Sequence, residues 1–178
     1  GEFTKAKQAR AKDERQWFTN LAMYFGKQNI QIISTPGSVQ AFKLITPPAP
    51  YYRARPVINR IRPLIRTEVS KLTSQKPSAF VVPSSSEDRD LYAANAGEQI
   101  WDSIYHQKNL QKVLRRAVWW ASVTGNGFIK TYWDDDTLDV NTDGINGDIC
   151  YEVVSPFHIF VPNLKLQHIE DQPMVIHA

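Results

Sequence analysis

The sequence predicts an α+β fold, with N-terminal helices followed by a small antiparallel sheet. Two observations carry this. Apolar residues recur at helical spacing in four separate stretches as far as Thr124, and after Asn126-Gly127 the period changes to alternation. Helical blocks that precede the alternating blocks, instead of interleaving with them, describe an α+β chain and not a parallel α/β one. No internal repeat is visible.

Gly1-Glu2-Phe3 does not read as a signal peptide and has the look of an expression scar. From Thr4 to Phe25 the pattern is helical. Lys5, Lys7, Arg10, Lys12 and Arg15 dominate its first half, which has little to bury and is expected to fray. Trp17, Phe18, Leu21, Tyr24 and Phe25 follow at helical spacing and must pack on something, and Gly26 is placed as the stop. Ile30–Ile33 and Val39–Ile45 read as short strands around the turn Thr35-Pro36-Gly37. Thr46-Pro47-Pro48-Ala49-Pro50 favours an extended segment and is the best boundary. Residues 4–50 are therefore read as a helix with an extended arm, and 51–178 as a helical plus antiparallel-sheet domain.

A second helix is expected over Pro56–Gln75, with Ile58, Ile61, Ile65, Val69 and Leu72 as its apolar stripe and a kink or a late start at Pro63. Phe80-Val81-Val82 reads as a short strand. Ser84 and Glu87 have capping-box spacing, so a third helix should run to about Tyr105, burying Leu91, Ala94, Trp101 and Ile104. Gly97 would let a neighbouring helix approach. A fourth helix is expected from about Leu110 to Thr124, ending at Gly125, with Leu110, Leu114, Ala117 and Ala121 facing inward. Phe128–Trp133, Ile149–Val154, Phe157–Val161 and Met174–Ile176 alternate as strands.

A chain of 178 residues is long enough for one domain with a real core. Its net charge of +3 is mildly basic, so the distribution of charge matters more than the total. The single cysteine, Cys150, excludes an internal disulfide and reads as a small core residue in an alternating strand. His106, His158, His168 and His177 lack metal-ligand spacing, which with the lone cysteine fits a reducing compartment. No apolar run is long enough to span a bilayer. Catalytic constellations, a Walker-type phosphate loop and a cofactor motif are missing, so an enzyme is not expected.

Two constellations carry possible chemistry. Asp139-Val140-Asn141-Thr142-Asp143-Gly144 begins like a calcium loop, with Asp139, Asn141 and Asp143 as the metal candidates. Its twelfth position is Cys150 where a bidentate glutamate is required, and a strand follows where a helix should, so a polar hairpin tip is the simpler reading. Asp134-Asp135-Asp136 fits a solvent-exposed turn better than a magnesium site. The second constellation is basic. Arg55, Arg62 and Arg66 share one helical face, with Arg53 and Arg60 nearby, and such a row binds phosphates or pairs with carboxylates across a subunit contact. Arg115 and Arg116 beside Trp119 and Trp120 suggest base stacking, although both tryptophans lie next to core positions and packing is the stronger reading.

Arg55-Pro56-Val57-Ile58-Asn59-Arg60-Ile61-Arg62-Pro63-Leu64-Ile65-Arg66-Thr67-Glu68, continuing through Lys71-Leu72-Thr73-Ser74-Gln75-Lys76-Pro77, resembles a segment of the portal proteins of tailed bacteriophages. Trp17–Gly26 is similar to the aromatic helix that precedes it there. Ala117–Trp133 resembles the helix and strand that follow, and Gly147-Asp148-Ile149 with Val153–Phe160 the strands beyond. The resemblance runs from about Trp17 to Val161. It implies a structural subunit of a dodecameric ring at one capsid vertex, part of the virion and assembled in the bacterial cytoplasm. It also implies the partners: further copies of itself, the terminase packaging motor, scaffold and capsid proteins, a head–tail adaptor, and double-stranded DNA passing through the channel. The ATPase would reside in another protein, and no membrane or cofactor is implied. Portal subunits are several times longer, so the channel-lining helix and motor-binding clip would lie beyond Ala178, leaving this chain as the N-terminal part of the outer wing. The arginine face and the aromatic helix would then meet neighbouring subunits. The competing reading is a monomeric basic nucleic-acid-binding module using Arg55, Arg62, Arg66, Arg115 and Arg116.

Overall fold

The computed structural model describes residues 1–34, 42–138, 146–163, 166 and 168–178. Among these the helices are α1 (Glu2–Tyr24), α2 (Ile61–Leu72), α3 (Asp88–Gln107) and α4 (Leu110–Thr124). The strands are β1 (Gln31–Ser34), β2 (Phe42–Ile45), β3 (Phe128–Leu138), β4 (Asn146–Val154), β5 (Ile159–Phe160) and β6 (Ile176–His177). They pair as three separate two-stranded antiparallel sheets, β1–β2, β3–β4 and β5–β6, so the α+β class holds while the sheet is divided.

The N-terminal half of α1 is anchored, contrary to the fraying expected from its charge. Arg10 is 4% exposed. Its Nη1 donates to the carbonyls of Pro156 (3.2 Å) and Ile159 (2.6 Å), and its guanidinium lies 3.7 Å from the centre of the Phe160 ring. Glu14, one turn along, supplies the opposite charge at 3.5 Å. Ala6 and Ala11 are buried, and Phe3 packs edge-on against Phe160 at 4.8 Å. The aromatic half is partly spent inside the chain: Trp17 and Tyr24 are buried, with Trp17 edge-on to Phe157 at 5.4 Å, whereas Phe18 and Phe25 are exposed.

α4 is the hub, touching α1, α2, α3 and the β3–β4 hairpin. Leu110, Ala117 and Val123 are buried on it. Asn20 of α1 donates to the Val123 carbonyl (2.9 Å), fixing the two helices at one end. Gly125 ends α4 with φ 86°, the left-handed stop that glycine adopts without Cβ strain. Gly127 lets β3 begin against the helix backbone, because a Cβ there would lie 2.6 Å from the Ala117 carbonyl oxygen. The β3–β4 register runs from Phe128 opposite Val154 to Asp134 opposite Asp148, with an irregularity before Leu138. Cys150 lies half-buried opposite Tyr132 and not in the core.

α2 starts at Ile61, five residues later than its first allowed position in the sequence reading. Proline has no N–H and its ring clashes with the carbonyl four residues back, so Pro63 fits only in a first turn. Asn59 completes that start: its Oδ1 accepts from the Arg62 N–H (3.1 Å), and its Nδ2 donates to the Tyr24 carbonyl (2.8 Å) at the end of α1. The expected apolar stripe is only partly used. Val69 is buried and Ile65 half-buried, whereas Ile58, Ile61 and Leu72 are exposed.

α3 departs furthest from expectation. Phe80-Val81-Val82 is not a strand; the Val81 N–H donates to Glu98 (3.3 Å) and its side chain packs over Gly97 of α3, taking the place the sequence reading gave to a helix. The reciprocal Ser84–Glu87 box does not form. The Ser84 and Ser85 hydroxyls instead donate to the Asp90 carboxylate (2.6 and 2.7 Å), and Ser85 Oγ accepts from the Glu87 N–H (3.2 Å). Ala94 and Tyr105 are buried on this helix, but Leu91 is exposed and Trp101 and Ile104 are half-buried. Phe157 lies in a 3-10 turn, Pro156–His158, that leads into β5, and Met174 precedes β6 without joining it.

Candidate functional site

The site starts from the spacing of residues on α4. Lys112, Arg115, Arg116 and Trp119 stand at i, i+3, i+4 and i+7, which places them on one face of a helix. On α2, Arg66 and Ser70 are one turn apart beside the buried Val69. α2 packs against α4, and these faces meet along a cleft of about 450 Å³ lined by Tyr24, Arg66, Val69, Ser70, Lys112, Arg115, Arg116 and Trp119. A shallower groove on α2, lined by Arg62, Arg66, Ser70 and Lys71 among others, adjoins it through Arg66 and Ser70.

Among the described residues no carboxylate lines either surface. The ion pairs among the described residues are Lys5–Glu2, Arg10–Glu14, Lys76–Asp102 and Lys108–Asp148, and none involves Arg62, Arg66, Lys112, Arg115 or Arg116. All five of these cations are exposed. The Arg62 guanidinium lies 6.0 Å from the Tyr24 ring centre, close enough for a weak cation–π contact. Trp119 is half-buried, edge-on to both Tyr24 (5.5 Å) and Trp120 (4.8 Å), so it packs as expected while one side borders the cleft.

Arg66, Arg115 and Arg116 are therefore brought together, and Arg62 lies in the adjoining groove. Arg55 is not part of this face. It precedes α2, donates to the Pro47 carbonyl (2.9 Å) and lines a different groove with Arg53 and Asn29. The shared helical face proposed for Arg55 fails because Pro63 delays the helix to Ile61, and Arg60 sits just before the first helical residue. Lys112 and Ser70 were missed. The Lys112-Arg115-Arg116-Trp119 spacing was the available signal for Lys112, and Ser70 had none.

The calcium-loop candidates Asp139, Asn141 and Asp143 lie outside the described residues. Asp134 and Asp135 belong to β3 and not to a turn after it, and Asp134 faces Asp148 across the hairpin. Asp148 is ion-paired with Lys108 at the α3–α4 junction. Among the described residues no group of three His, Cys, Asp or Glu side chains is placed to hold a metal, and no helix is long and apolar enough to cross a membrane. A further groove of about 360 Å³ beside Arg10, Asp13, Trp17 and His168 has its cation already committed to backbone carbonyls. Comparison with protein-family models, with curated proteins and with solved structures finds no match to this chain.

Proposed function

We propose that this chain is a non-enzymatic structural module, part of the wing of a bacteriophage portal-ring subunit, whose open surface is covered by neighbouring copies. The supporting observation is its surface. The chain exposes 13231 Å², whereas a compact monomer of its mass exposes about 9,000 Å². Much of the exposed side-chain surface is apolar: Ile58, Leu64, Leu72, Val82, Tyr92 and Ile100 are each more than half exposed. Exposed apolar surface of this kind supports contacts with other chains where it is contiguous. The order of motifs from Trp17 to Val161, which resembles that of portal proteins, supports the choice of family. On this reading the terminase motor, scaffold, capsid proteins and head–tail adaptor meet the assembled ring, and the packaged DNA passes through its channel.

The test is the mass of the protein, in the longest form its gene encodes, measured by light scattering. A mass many times that of one subunit is expected. A monomeric mass over the accessible concentration range contradicts the proposal.

A further inference from the structure

We propose that the α2–α4 cleft is a phosphate-backbone site that takes polynucleotide, with Arg66, Lys112, Arg115 and Arg116 as its contacts. The inference does not depend on the ring reading. It starts from charge: four cationic side chains line a cleft between two facing helices, and among the described residues no acid lines it and none of the four is ion-paired. Like charges held this close repel unless an anion or solvent screens them, so the ligand that fits is anionic. Three of the four are arginines, whose planar forks bond oxyanions in pairs, and Ser70 adds a neutral hydroxyl donor.

The extent of the row selects a polymer over a single phosphate. Arg62 and Lys71 continue the cationic surface along α2 through the groove that shares Arg66 and Ser70. From Arg62 to Ser70 the helix rises about 12 Å, longer than one phosphate group and suited to several in succession. Trp119 borders the same cleft with one side unburied, where a base or sugar can rest against it.

The experiment measures binding of a short mixed-sequence DNA duplex to the 178-residue chain by fluorescence anisotropy across a salt series. With four phosphates neutralised, the log–log salt slope should be about −3.6, so a fourfold rise in salt weakens binding about 150-fold. Lys112→Gln and Arg116→Gln should each reduce the slope by about one. Arg66→Gln with Arg115→Gln should reduce it by about two, with unchanged circular dichroism, since both side chains are exposed. Arg53→Gln with Arg89→Gln removes the same net charge elsewhere and should leave the slope unchanged. No binding at low salt overturns the proposal. So does an equal loss in both double variants, which would mean that net charge alone drives binding. Stabilisation by inorganic pyrophosphate without duplex binding would assign the cleft to a free anion and would also overturn it.

Discussion

Arg10 shows how one side chain can reverse a reading made from its neighbours. In the sequence it is one cation in a run with Lys5, Lys7 and Lys12, and nothing local sets it apart. Its partners lie 146 and 149 residues away, so no window of sequence contains them. Burial pushes its guanidinium pKa down and Glu14 partly restores it. Removing it takes the Arg10 donor from both carbonyls, of which Pro156 keeps the Ile159 N–H, and leaves Glu14 without its partner. Arg10→Met is therefore expected to cost about 3 kcal/mol in urea denaturation. Arg10→Lys should recover only part of this, because an ammonium cannot donate as a fork while stacking on Phe160. A loss below about 0.5 kcal/mol for Arg10→Met would show that the contact is incidental. Lys112, in contrast, could have been found, since its spacing from Arg115, Arg116 and Trp119 needs no tertiary information.

At the scale of the element, local rules worked where the physics is local. α4 runs over the expected residues because Gly125 stops it, and Pro63 set a start or a break that the chain resolved as a start. Phe80–Val82 failed as a strand because a strand needs a partner, and the segment found α3 instead. Asn59 joins two elements, capping α2 while holding the end of α1. Asn59→Ala is expected to lower stability by about 1–2 kcal/mol by thermal denaturation. Asn59→Asp keeps the acceptor for α2 but loses the donor to Tyr24, so it should fall between the two; an effect equal to alanine's would remove the capping role. At the start of α3 the Ser84 and Ser85 hydroxyls hold the Asp90 carboxyl below its ordinary range. A depressed carboxyl contributes stability above its unfolded pKa of about 3.9 and loses it as pH falls through the lowered value. Protection from hydrogen exchange in the first turn of α3, taken relative to the intrinsic rate at each pH, should therefore fall below about pH 4. Ser84→Ala with Ser85→Ala should flatten that dependence, and an unchanged profile would contradict the assignment.

Across the whole molecule, the core is small for the chain. Its buried apolar residues include several alanines, while larger side chains such as Leu64, Leu72, Phe80 and Ile100 face outward. The excess over a compact monomer is roughly 4,000 Å². A standard interface covers about 800 Å² on each partner, so several such contacts fit within the excess. A subunit with a neighbour on either side has that requirement, and a monomeric binding module does not. The fold class was legible because the helical and alternating periods sit in separate halves. The division into three small sheets was not, because pairing is decided between strands and not within them. The most direct test images the protein, in the longest form its gene encodes, by negative-stain electron microscopy. Rings with a central channel wide enough for duplex DNA are predicted; monodisperse small particles with no channel would contradict the account.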